Sequence, residues 1–309
     1  MNWEKKGLIH QPRKSYFWNQ KYDILPTPIY LEDVHLIRIF FGTTDNENYG
    51  RITYVDLDAD NPSKIVYEHN KFILDIGVDG TFDDCGVVPS SVLKNQETGD
   101  FYLYTVGFQR TVKKPYMLFA GLAVSKDLIN FKRFSSAPIL PRNEFRFISQ
   151  GAPCVIYDNN VYKMWHWFAT KWIEVDGKPF MDYHIGYAES IDGKHWTMHD
   201  VTCLNPRSER GEFAVARPWV HKKNDLYHMY YSTRYADRLY RIEYAISKDG
   251  INWDRNFEPP FDVSENGWDS EMICYPSILE VGDKTYMFYN GNNNGETGFG
   301  YAELVDSSL

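Results

Sequence analysis

A unit of roughly 60 residues recurs along the chain, and that period decides what the chain can fold into. Each copy holds a proline-containing apolar strand, a turn and an aromatic-rich strand. The copies read "PTPIYLEDVHLIRIFFGT", "VVPSSVLKNQETGDFYLYTVG", "GAPCVIYDNNVYKMWHWFA", "ARPWVHKKNDLYHMYYST" and "CYPSILEVGDKTYMFYNG". Their prolines align as Pro28, Pro89, Pro153, Pro218 and Pro276. A unit of that length accommodates four antiparallel strands with their loops, so five units predict an all-β, five-bladed β-propeller.

A second repeat follows in three of the units: "GLAVSKDLINFKRF" (121–134), "GYAESIDGKHWTMH" (186–199) and "EYAISKDGINWDRN" (243–256). Each contains Ala-x-Ser-x-Asp and then an aromatic residue. That pattern reads as strand, tight turn, strand, with Asp-Gly and its neighbours supplying the φ > 0 positions of a hairpin. Asp127, Asp192 and Asp249 are therefore expected to form turns.

The ends complete the argument. The fifth unit stops at "GFGYAELVDSSL", with no room for an outer strand. The start, "NWEKKGLIHQP", resembles "NWDRNFEPPFD" (252–262), the outer strand of the fourth unit. Trp3 and its neighbours are expected to close the last blade, which leaves residues 1–309 as a single domain without an open sheet edge.

Composition narrows the partners. An aromatic fraction of 17% suits strands and also stacking on sugar rings. Net charge is −9 with no basic block, which argues against a nucleic-acid partner. No apolar run reaches membrane-spanning length, and the start lacks a secretory signal, so the expected location is the cytoplasm. Cys85, Cys154, Cys203 and Cys274 are spaced too widely for a zinc signature and are expected to be buried thiols. No metal or cofactor is expected.

A propeller gathers its innermost strands around a channel whose mouth forms a funnel. If the proline strands are innermost, the residues just before each proline approach that funnel. They include Asp23, Asp83 and Asp84, Gln150, Glu212 with Arg217, and Asp269 with Glu271 and Tyr275. His166, Trp167, Arg234 and Asn290 end the second strands and belong to the same region. Neighbouring carboxylates push each other's pKa values apart, so that one stays protonated as general acid while another is ionised. Glycoside cleavage uses such a pair, at roughly 5–5.5 Å for retention or about 6.5–9.5 Å for inversion. Arg217 is equally suited to holding a carboxylate or phosphate and to a salt bridge with Glu212 or Asp269.

The five units and hairpins such as "YAESIDGKHW" and "YAISKDGINW" resemble the five-bladed propeller glycosidases, families 43, 32, 68, 117 and 130. The resemblance spans nearly the whole chain. It implies an early aspartate, a second aspartate in a middle blade and a later glutamate on the innermost strands. Asp23 or Asp84 would take the early role as base or nucleophile, and Glu212 or Glu271 the later role as acid; Gln150 stands where the middle acid is expected. In family 130, phosphorylases hold phosphate with basic residues, which here would be Arg217 and Arg234. The Asn-Asp-Pro, Arg-Asp-Pro and Glu-Cys-Pro motifs of sucrose-acting families are absent, which argues against a fructosidase. The chain is also similar to propeller proteins associated with bacterial surface-polysaccharide synthesis. The expected function is glycosyl cleavage or transfer in the funnel, with His166, Gln150, Asp269, Tyr275, Asn290 and the two arginines binding a sugar or sugar derivative. Two alternatives are a glycan-binding propeller without catalysis and phosphorylase or sugar-nucleotide chemistry.

Overall fold

The computed structural model describes residues 1–306. Nineteen strands are arranged in successive antiparallel runs. The first run is β2 (Lys21–Leu31), β3 (Leu36–Thr44), β4 (Gly50–Asp58) and β5 (Ile65–Glu68), preceded by β1 (Asn2–His10). The second is β6 (Gly86–Lys94), β7 (Phe101–Gln109), β8 (Met117–Ser125) and β9 (Lys132–Arg133). The third is β10 (Ser149–Asp158), β11 (Val161–Val175), β12 (Lys178–Ser190) and β13 (Thr197–Leu204). β14 (Glu212–Lys223), β15 (Leu226–Tyr235) and β16 (Arg241–Ser247) follow, then β17 (Cys274–Val281), β18 (Lys284–Asn290) and β19 (Phe299–Asp306).

The leading strands of the runs meet in a closed circuit. β2 lies against β6, β6 against β10, β10 against β14, β14 against β17, and β17 returns to β2. Each therefore faces a common axis, which is the property the proline strands were expected to have. β1 pairs antiparallel with the outer side of β19, giving the sheet order β1-β19-β18-β17. Lys5 on β1 ties that strand to the last run through Asp269, 2.8 Å away.

The Ser-x-Asp turns follow from local chemistry. In each, the serine hydroxyl donates to the aspartate (Ser125–Asp127, Ser190–Asp192 and Ser247–Asp249, all 2.9 Å). The same carboxylates accept backbone N–H groups two and three residues on, so the side chain performs the work of a backbone turn.

The prolines mark something the repeat did not reveal. Four of the five lie at a β-bulge, where the strand carries one residue more than its partner, and the first run has a bulge of its own. The register slips between Ile24 and Thr27, Pro89 and Ser91, Gly151 and Cys154, Ala216 and Trp219, and Cys274 and Ser277. In the first run the bulge holds Leu25 and Pro26, while Pro28 pairs regularly with Ile39. The proline equivalent to Pro89, Pro153, Pro218 and Pro276 is thus Pro26, not Pro28. The error came from two prolines standing two residues apart.

The junction between β1 and the last run is tight. Gly298 has φ +96°, and a side chain there would strike the carbonyl oxygen of His10. Gly298→Ala is expected to cost at least about 1 kcal/mol by combining backbone strain with that collision. A urea titration reading an unchanged midpoint would show that the junction has slack.

Candidate functional site

The bulges form the floor of a central cavity. Four of them place a non-glycine residue at positive φ, which such residues seldom adopt: Leu25 (60°), Ala152 (45°), Arg217 (49°) and Tyr275 (56°). These four and Val88 of the second run all line one cavity of about 400 Å³, within the range of small-molecule sites. The extra residue turns each side chain off the sheet and toward the axis. Side chains hold the bent backbone in place. Asn290 Oδ1 accepts the freed N–H of Leu25 at 2.8 Å, and Ser232 Oγ does the same for Tyr275 at 2.8 Å.

The wall is aromatic. Tyr22, Phe108, Tyr116, Trp167, Tyr183 and Tyr240 contribute to it. Trp167 and Tyr183 lie with ring centroids 4.2 Å apart and planes at 34°. A Cβ at Gly151 would come 2.7 Å from the Trp167 indole, so the glycine makes room for that ring. Toward solvent, Asn48, Cys85, Phe108 and Tyr116 are shared with an outer hollow of about 420 Å³ that also includes Arg110.

Two arginines line the cavity in different states. Arg217, 1% exposed, is a strut across the axis. Its guanidinium donates to the Ser90 carbonyl and hydroxyl of β6, and to the Pro26 carbonyl and Thr27 hydroxyl of β2. Its Nε has no partner, and burial pulls its pKa down to about 10. Neither Glu212 nor Asp269 is its counter-ion. Arg234 makes no hydrogen bond or ion pair among the described residues. Phe180 and Tyr240 instead lie over its guanidinium, at 4.5 and 4.4 Å.

Among the described residues, no carboxylate lines the cavity. Of the residues singled out from sequence, Arg217, Arg234, Trp167 and Tyr275 reach it. Asp23 does not, because alternation along β2 sends Tyr22 and Ile24 inward and Asp23 outward. Asp23 is buried against His10, its Oδ2 2.8 Å from the imidazole, while Glu68 lies 3.2 Å from the other ring nitrogen. Burial pushes the Asp23 carboxyl up, against the downward pull of His10.

Glu212 lies in a closed ionic cluster. It accepts from Arg207 Nε at 3.1 Å, from the Arg207 N–H at 2.8 Å and from Arg255 Nη2 at 2.7 Å. Asp269, 2% exposed, is held by Lys5 and by the Tyr289 hydroxyl at 3.0 Å. Glu271 has an exposed side chain, and its backbone N–H donates to Asn292. Asp83 pairs with Arg133 at 2.7 Å. Asp84 directly precedes the lining residue Cys85 along the chain. One of its oxygens accepts the Gly80 N–H at 3.0 Å, and the other is buried without a partner.

His166 and Gln150 are buried and do not line the cavity. Gln150 donates to the Pro141 carbonyl at 2.8 Å. His166 is fully buried; that burial, aided by the Arg146 charge, pulls its pKa down to about 3 and keeps it neutral. Asn290 supports the floor from behind. The lining residues that sequence reasoning missed are chiefly Tyr22, Phe108, Tyr116, Tyr183 and Tyr240. The available signal for the floor was the residue directly before each bulge proline.

Comparison with known proteins places these features. No family model matches the chain. "Uncharacterized protein Rv1502" of Mycobacterium tuberculosis (strain ATCC 25618 / H37Rv) is 34% identical over 305 residues, covering 98% of this chain and 99% of that protein. A 1,2-beta-oligomannan phosphorylase of Thermoanaerobacter sp. (strain X514) is 30% identical over 139 residues, 41% of this chain and 45% of that enzyme. Among solved structures, the beta-1,2-mannobiose phosphorylase of Listeria innocua in complex with beta-1,2-mannobiose superposes with TM-score 0.73 at 12% identity, covering 98% of this chain and 97% of that one. A thermostable family-43 glycoside hydrolase gives TM-score 0.69 at 14% identity, covering 96% of this chain and 94% of its own. The fold is therefore one shared with glycoside hydrolases and mannoside phosphorylases.

Proposed function

The chain belongs to one family with the mycobacterial protein Rv1502, and from that premise we propose that it is a carbohydrate-active protein whose sugar ligand occupies the central cavity. The antiparallel runs are read as five blades, the last completed by β1, with the cavity at their common axis. The observation that carries the reading is the lining itself. Stacked aromatic rings beside unfilled hydrogen-bond donors match the apolar faces and polar edges of a sugar. The neighbouring glycosidases and phosphorylases support the same class of ligand.

Glycosyl cleavage or transfer by paired carboxylates is the enzymatic form of this proposal. It assigns the acid to Glu271 and the base or nucleophile to Asp84 or Asp23, since Glu212 is taken up by Arg207 and Arg255. Asp84 fits best, because it directly precedes the lining residue Cys85 and one of its oxygens has no hydrogen-bond partner, whereas Asp23 is engaged by His10. Glycan recognition without turnover is the second reading, favoured by the absence of a carboxylate from the lining. In either form the proposal extends to a cytoplasmic role in building surface polysaccharide. Among the described residues, no helix is long and apolar enough to cross a membrane.

Turnover of glycosides, with and without phosphate, separates the forms when repeated on Asp84→Asn, Asp23→Asn and Glu271→Gln. The enzymatic form expects Asp84→Asn to lose roughly 100-fold or more in rate, as for removal of an acid or base. Full activity in every variant would remove these role assignments. Glycan binding with no turnover in the parent protein would establish the second reading.

A further inference from the structure

The geometry points to an anionic sugar as the ligand, with its carboxylate or phosphate ester held by Arg234. This rests on the reading of the cavity as a sugar site and names which sugars it takes. The molecule as a whole carries a net charge of −9, yet the cavity is lined by two guanidinium groups and no acid. Arg217 has most of its donors occupied by the floor it braces. Arg234 has none occupied.

Arg234 is half-buried, and none of its nitrogens is among the fully enclosed unpartnered atoms, so its free donors open onto the cavity rather than being sealed from it. The Phe180 and Tyr240 contacts contribute about 2 kcal/mol at most, the range for rings on a desolvated guanidinium. They cover the flat faces of the group and leave its N–H edge, which is the edge that grips a carboxylate or phosphate in a two-pronged bond. The arginines that brace the fold have donors filled, by an acid as for Arg255 with Glu212 and Arg38 with Asp56, or by carbonyls and hydroxyls as for Arg217; Arg234 has neither. The hydroxyl-bearing wall of Tyr116, Tyr183 and Tyr240 is placed to serve the uncharged part of the same ligand.

The test is binding to an array of neutral glycans, glycans with uronate or other carboxylate sugars, and phosphorylated glycans. It is run at low and high salt, with inorganic phosphate as a separate arm. The parent protein is expected to retain acidic glycans preferentially, and Arg234→Gln to weaken that binding roughly 10- to 100-fold. Arg234→Lys keeps the charge without the fork and is expected to recover only part. A matched melting midpoint for the variants checks that they are folded. The carboxylate and phosphate arms identify the anion. Equal retention of neutral and acidic glycans, unchanged in Arg234→Gln, would overturn the inference while leaving the sugar site standing. Capture of inorganic phosphate with no preference among glycans would also overturn it, by assigning the anion to a co-substrate. Retention of no glycan at all would instead remove the sugar reading beneath it.

Discussion

Glu212→Gln is expected to destabilise the protein by about 3–5 kcal/mol, the usual consequence of removing one partner from a buried ionic cluster. Glu212 is enclosed and accepts hydrogen bonds from Arg207 and Arg255. Neutralising it leaves Arg207 with only its remaining contacts; one of that residue's nitrogens is already buried without a partner. Arg255 keeps the Tyr231 hydroxyl at 2.8 Å and the Asn205 carbonyl, so Arg207 loses more. The melting midpoint is expected to fall by roughly 6 °C or more. Pairing the change with Arg255→Met is expected to restore part of the loss, because the two residues share one interaction. A catalytic glutamate would behave in the opposite way. Its glutamine variant would keep the melting midpoint and lose turnover, and that result would move Glu212 back to the reacting centre.

The second large effect is a loss of stability at alkaline pH. His10 on β1 is buried between Asp23 and Glu68, with Arg13 on the far side of Glu68. Burial alone would lower the imidazole pKa, but the two carboxylates override it and raise it to about 9. The ordinary value is about 6.5. A group whose pKa is higher in the folded state binds its proton more tightly there. Its contribution is fully present below about pH 6.5 and is lost as the pH rises through about 9. The shift corresponds to about 3 kcal/mol. Urea midpoints across that window are expected to decline in the parent protein, and to decline much less in His10→Gln. A parallel decline in both would show that another group sets the alkaline limit.

Much of the fold was legible because its signals are local. The roughly 60-residue period, the Ser-x-Asp turns and the likeness of "NWEKKGLIHQP" to an outer strand each depend on a short stretch of chain. The site was less legible because its decisive facts are directional or distant. Asp23 lies between two residues that face the cavity, yet faces away from it, and a one-residue slip in a bulge is enough to set that direction. Glu212 was read as an acid near the axis; its partner Arg255 lies in the connection between β16 and β17, and no spacing rule joins them. Arg217 could have been an anion ligand or a salt-bridge partner. In the structure most of its donors go to backbone carbonyls and hydroxyls beside neighbouring bulges, and none goes to Glu212 or Asp269. Those carbonyls have no sequence signature. Arg234 reached the cavity for a reason the sequence does carry, since it ends a second strand opposite a leading strand.

The pairing of β1 with β19 has a consequence for the order of synthesis. Residue 2 is registered against residue 306, so β1 is made before every other strand described and must wait for β19 before it has a partner. Until then Trp3 and Ile9 are apolar surfaces without their final neighbours, on a strand able to pair with another chain. The residues between them are largely charged, with Glu4, Lys5 and Lys6 in sequence. Charge on a waiting edge discourages such pairing, so this stretch is expected to serve the nascent chain as much as the finished ring. The ring can close only once β19 has been made.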